Sequence, residues 1–167
     1  MGLDKNKIEY IECFTWDLLK DIYKDDVIIP PIDLDRLANN AGIEIKQGNF
    51  ENPEISGAYE KNKKIIYINE SDSYVRKAFT FAHELGHFYL HKNKPTETFF
   101  RSDMQSIEEE HRQVEQEANW FAASILMPKK PLVQLWDFTR DIQELARRCE
   151  VSSLALHYRL KNLGLLN

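Results

Sequence analysis

Two histidines four residues apart, with a glutamate directly after the first, constrain this chain more than any other feature: His83-Glu84-Leu85-Gly86-His87. On an α-helix such a spacing places side chains about 40° apart around the axis and about 6 Å apart along it. Both imidazoles then reach one metal ion from a single helix face. The neighbouring carboxylate is held where it can take a proton from water. The chain has only five histidines, so the pattern is not a by-product of a histidine-rich composition.

A catalytic zinc has three protein ligands and an open position, so a third ligand is required. His91 continues the four-residue step but lies about 12 Å along the helix from His83, too far to share an ion with bonds of about 2 Å. A helix-capping or core-edge place suits it better. The spacing that puts a glycine three residues past the second histidine and a third histidine three further on fails, because Leu90 and Asn93 stand there. The next long helical pattern, about 107–126, offers Glu115, Glu117 and His111. On a helical wheel Glu115 shares a small or apolar face with Ala118, Asn119, Ala122 and Leu126, a face suited to close packing on the metal helix. A carboxylate there needs a partner, since an unpaired buried charge is costly. Glu115 is therefore the expected third ligand. His111 shares that face as a rival ligand or active-site acid, and Asn119 can orient a histidine ring. Glu117 falls with Trp120 and Ser124, toward the outer side.

At 167 residues, 43% hydrophobic and 29% charged, the chain has the make-up of one soluble globular domain with a core of its own. No apolar run approaches the roughly 20 residues that span a bilayer. The polar start leads directly into a helical pattern without a signal peptide, and Gly2 lacks the Ser or Thr of a myristoylation signal, so cytoplasmic residence is expected. Cys13 and Cys149 are isolated, which suits reduced thiols and not a disulfide frame. A net charge of −5 argues against broad attraction to nucleic acid.

Helices frame a small β-region. Ile8, Ile11, Phe14, Leu18 and Ile22 mark an amphipathic first helix, ended by Pro30 and Pro31. Asp33 can cap a short helix closed at Gly42. Residues 43–45 read as a strand, and 56–59 with 64–69 as a hairpin. Asp72 or Ser71 can cap the metal helix, which runs to about His91. Residues 92–104 read as a loop, and shorter helices follow Pro128. Trp120, Trp136 and the scattered phenylalanines are expected in the core.

The segments Thr80–His87, Glu115–Ala123 and Ile125-Leu126-Met127-Pro128, with Ile55-Ser56-Gly57-Ala58, Asn69-Glu70-Ser71 and Pro31-Ile32-Asp33-Leu34, resemble the ImmA/IrrE family of bacterial and phage metallopeptidases. The likeness covers roughly residues 30–130. It implies zinc held by His83, His87 and Glu115 in the manner of gluzincins, and an α+β fold with a small sheet on the zinc-binding helices. Residues 1–130 then form the metallopeptidase domain with its N-terminal helix, and 131–167 a helical appendage.

The implied chemistry is zinc-assisted peptide hydrolysis, with Glu84 moving a proton from water to the leaving amine. Tyr59, Tyr74, His91, His111 and Arg112 are all able to stabilise the oxyanion. Residues 56–59 serve either as an edge to which an extended substrate adds or as a plain structural strand. Residues 141–166 resemble a helix-turn-helix with Val151-Ser152 at the turn. Five basic and three acidic residues between 140 and 167 leave a surplus of only +2, and Arg159 and Lys161 would carry any contact with DNA. Packing is the better account of that segment. The leading expectation is a cytoplasmic zinc endopeptidase that cuts a specific regulatory protein, a helix-turn-helix repressor of the phage or mobile-element type. The competing one is a regulatory or antitoxin-like binding module with a structural or idle metal site.

Overall fold

The first helix shows why this fold is layered. In the computed structural model, which describes residues 3–24, 26–91 and 109–166, α1 (Lys5–Tyr23) buries Ile11, Thr15, Leu19 and Ile22 at three- and four-residue steps. Its buried stripe lies on α4 (Glu109–Leu126), whose opposite side meets α3 (Tyr74–Leu90). Beyond α3 lies a three-stranded sheet. The order is therefore sheet, α3, α4, α1, an α+β arrangement in which α3, the helix of His83 and His87, lies between the sheet and α4. The expected loop at 92–104 lies outside the described residues. Among the described residues no helix is long and apolar enough to cross a membrane.

Local signals place the elements closely. Asp33 caps α2 (Leu34–Ala41) by accepting from the Arg36 amide at 2.9 Å, and Gly42 closes it at φ 64°. The sheet runs β1–β3–β2: β1 (Glu44–Gly48) is parallel to β3 (Ile65–Asn69), and β2 (Gly57–Glu60) is antiparallel to it. The strand expected at 43–45 begins one residue later. Asn69 fixes the approach to β2, donating its side-chain amide to the Ile55 carbonyl and its backbone amide to the Ser56 carbonyl.

Ser73, not Asp72 or Ser71, stands at the N-cap of α3. The other two are engaged elsewhere, Ser71 Oγ donating to Asn69 Oδ1 and Asp72 pairing with Arg76. The C-terminal helices are α5 (Lys129–Thr139), α6 (Ile142–Cys149) and α7 (Ser153–Asn162). Asp141 caps α6 and Ser152 caps α7, so the turn falls at the expected Val151-Ser152. Phe81, Leu85, Phe121, Ile125, Leu132 and Leu156 are almost wholly buried at the centre. Each such side chain contributes about 1.5–3 kcal/mol. Trp136 is in the core, whereas Trp120 is half-buried and donates its indole N–H to Glu12.

Candidate metal centre

Close approach of α3 and α4 builds the site, and small residues permit it. A Cβ on Gly86 would stand 3.1 Å from Ala118 Cα and 3.2 Å from its carbonyl oxygen. With Gly86 against Ala118, the α4 backbone comes near enough for one carboxylate to reach both histidines. Glu115 Oε2 lies 3.2 Å from His83 Nε2, and Oε1 lies 3.3 Å from His87 Nε2. The two Nε2 atoms are 3.0 Å apart. His83 and His87 are 5% and 3% exposed.

These three residues form the group able to hold a metal ion among the described residues. The donor set fits zinc. Bonds of about 2.0 Å in a tetrahedron put neighbouring ligand atoms about 3.3 Å apart, close to the separations found. Proton accounting agrees. Asn119 Oδ1 sits 3.0 Å from His83 Nδ1, so Nδ1 carries the ring proton and Nε2 presents a lone pair. Lone pairs and a carboxylate facing one another at this range repel unless a cation lies among them. Burial works to raise the pKa of Glu115, but hydrogen bonds and positive charge from the His83 and His87 rings, carried by protons on the same Nε2 atoms that a metal ion would replace, overcome it and hold the carboxyl well below the usual range.

Glu84 is 4% exposed on the same helix and stands outside the ligand trio. The start of β2 lies beside it. A Cβ on Gly57 would collide with Thr80 Cγ2, sit 2.9 Å from the Tyr67 carbonyl oxygen and approach Glu84 Cγ to 3.8 Å. Only glycine lets the edge strand run so close to α3.

Several expected placements change. Glu117 does not face outward. It is 6% exposed, because α1 covers that side of α4, and it meets His91 Nε2 at 3.2 Å and Lys7 Nζ at 3.3 Å. His91 is the C-cap of α3 and is buried behind His87, turned away from the trio's centre. Tyr74 donates to Glu150 at 2.6 Å, three turns before the ligands. His111 is exposed and lies outside the ligand group. Tyr59, on β2, packs edge-on against Phe88 of α3. Arg159, a residue proposed to carry any DNA contact, is 2% exposed. Its guanidinium holds Glu12 through both Nη atoms and the Met127 carbonyl through Nε at 3.0 Å. Cys13 is exposed, while burial pushes the Cys149 thiol up to about 11.

The Glu12–Arg159 pair was not legible in the separate segments. Its one signal is that Glu12 and Thr15 fall on the stripe of Ile8, Leu19 and Ile22, where polar residues require buried partners.

A histidine pair on one helix, completed by a carboxylate from the next and set beside a small sheet, is an arrangement that could hold a metal ion in the HExxH manner. Residues 38–161 match a peptidase family described as the IrrE N-terminal-like domain, and the chain belongs to that family. It is 32% identical over 111 residues to the radiation response metalloprotease IrrE of Deinococcus radiodurans, an alignment covering 62% of this chain and 33% of that protein. The chain thus spans about a third of that relative's length. Its fold resembles a Mycobacterium tuberculosis transcriptional regulator with a TM-score of 0.70 at 17% identity, over 91% of this chain and 46% of the other.

Proposed function

We propose that this chain is a zinc-dependent endopeptidase that cuts a specific regulatory protein, a helix-turn-helix repressor. The observation that carries the reading is a buried Glu84 beside, and not within, the His83–His87–Glu115 ligand set. A purely structural site has no use for a carboxylate base there. The family membership and the metalloprotease name of the Deinococcus radiodurans relative support the same reading.

His83, His87 and Glu115 would hold the ion, and Asn119 keeps the His83 ring turned with its lone pair inward. Zinc, when bound, acidifies water and polarises a carbonyl oxygen. Glu84 takes the proton of the attacking water and passes it to the leaving amine, so one carboxylate serves as base and then acid. An extended substrate can lengthen the sheet along β2, which is an edge strand and lies beside Glu84. Tyr59 is on that strand, His111 and Arg112 stand one turn before Glu115, His91 meets Glu117, and Tyr74 donates to Glu150. The alternative of a DNA-contacting module loses its best cation, since Arg159 is buried against Glu12.

Narrow activity is expected, with remote docking aligning a single bond in the cleft. The zinc-loaded protein, incubated with the repressor encoded beside its gene, should make one cut. A chelator and Glu84→Gln should each abolish it. Digestion of casein at many sites, or a fully metallated protein that cuts no candidate repressor, would overturn the proposal.

A further inference from the structure

His87 is held from behind by a chain of polar groups that crosses two helix interfaces. Its Nδ1 lies 3.1 Å from His91 Nδ1, and His91 Nε2 lies 3.2 Å from Glu117 Oε2. Glu117 also meets Lys7 Nζ at 3.3 Å and accepts from Gln113 Nε2 at 3.2 Å. The side chains of His91 and Glu117 are 3% and 8% exposed. A buried histidine and carboxylate with these partners stand directly behind a ligand ring, and the peptidase chemistry above does not use them.

We propose that His91 and Glu117 are positioning residues that set the tautomer and aim of His87, with Lys7 of α1 anchoring the far end. This rests on reading His83, His87 and Glu115 as a metal site. The proton positions follow from either end. A carboxylate accepts only, so His91 carries a proton at Nε2, and in the neutral ring its Nδ1 offers a lone pair. Only one proton fits between the two Nδ1 atoms, so it belongs to His87. His87 Nε2 is then left as a lone pair pointing at His83 and Glu115, which is what a metal ligand requires. Starting from the metal end gives the same assignment. His83 is held in the same state by a single neutral amide, whereas His87 has an imidazole backed by a carboxylate.

The relay also gives α1 a role. That helix lies outside the matched residues 38–161, yet it covers Glu117 and supplies its cation. The metal centre is thereby supported from a part of the chain that the family match does not include.

Two measurements test this on the full chain. The first is nitrogen-15 NMR of the metal-free protein, which reads ring tautomers directly. His87 should be protonated at Nδ1 and His91 at Nε2; the opposite pair of tautomers would overturn the proposal. The second is zinc affinity by competition with a chromophoric chelator. His91→Leu, which fills the space but cannot accept a proton, should weaken zinc binding by about 10–100-fold, and His91→Gln, whose amide oxygen can accept, should recover part of it. A folded His91→Leu that binds zinc within twofold of wild type would refute the relay while leaving the metal site standing. Wild-type protein that binds no zinc would instead refute the metal site. In that case, or if His91→Leu does not fold, the wild-type tautomers decide the relay alone.

Discussion

Glu115 and Glu12 are both carboxylates drawn toward the interior on opposite sides of α4, and they differ in what surrounds them. Glu12 meets a full complement of donors: both Nη atoms of Arg159, the Trp120 indole and the Ser124 hydroxyl. Its charge is balanced, and three of the four donors converge on Oε1 while Arg159 Nη2 holds Oε2. Glu115 faces two imidazole nitrogens, each able to offer a lone pair in the neutral ring. Both carboxyls sit below the usual range, in each case against the opposing effect of burial. The direction of the shift therefore does not separate a structural cluster from a chemical one. The kind of partner does: Glu12 meets a fixed arginine cation, whereas Glu115 meets two histidine nitrogens that could also hold a metal ion.

Breaking the Glu115 cluster should have the larger consequences. Glu84→Gln should keep zinc at near-full occupancy and reduce turnover by about 10²–10⁴-fold, measured as single-site cleavage beside metal content. Glu115→Ala should lose the metal outright under dialysis, because it removes one of three ligands. Glu117→Ala should retain a weakened site. Equal metal loss from both variants would place Glu117 among the ligands and leave the two carboxylates with the same role.

The Glu12 cluster should respond in stability and not in metal binding. Arg159→Met leaves Glu12 without its main partner, so urea unfolding should show a loss of about 3 kcal/mol, the lower end for breaking a buried pair. Zinc affinity should stay within twofold. The same pair predicts acid sensitivity. The folded Glu12 carboxyl lies below the ordinary value of 4.5, so its contribution is complete above that pH and disappears as pH falls through the lower folded value. Melting temperatures between pH 7 and 3 should fall less steeply in Arg159→Met than in wild type. An unchanged slope would mean that another carboxylate governs acid unfolding.

Gly86→Ala tests the geometry that joins the two faces. The added methyl meets the Ala118 backbone at 3.1 Å and should cost about 1–3 kcal/mol by overpacking while loosening zinc through displacement of Glu115. The smallest effect belongs to Lys161, exposed on α7. Replacing it should change neither stability nor any salt-sensitive binding to duplex DNA, which the protein should lack at micromolar concentration. Tight, sequence-selective binding lost in Lys161→Ala would restore the DNA-reading view of the C-terminal helices.

The parts of this molecule legible in sequence are those governed by short-range geometry. The four-residue step puts His83 and His87 on one face whatever else the chain does. Helical period also separates Glu115 from Glu117, and the small residues around Glu115 mark the face that comes close to α3. Asp33, Gly42 and Ser152 serve their expected turns and caps because those roles depend only on neighbouring amides. Where local signals compete, as at Ser71, Asp72 and Ser73, the N-cap falls one or two residues later than expected, with Ser71 held by Asn69 of β3 and Asp72 by Arg76 of α3 itself.

Tertiary structure alone decided which faces are covered. A wheel shows that Glu117 points away from Glu115, but it does not reveal that α1 lies there and makes that side an interior. Arg159 and Glu12 are 147 positions apart, and nothing near either one announces the other. Lys7, Glu117 and His91 come from three helices and meet behind His87 only through the stacking of α1 on α4 and α4 on α3. Periodicity orients a side chain about its own axis. Whether water, a cation or another helix stands opposite depends on the docking of elements far apart in the chain, and that sets the free energy of every buried charge.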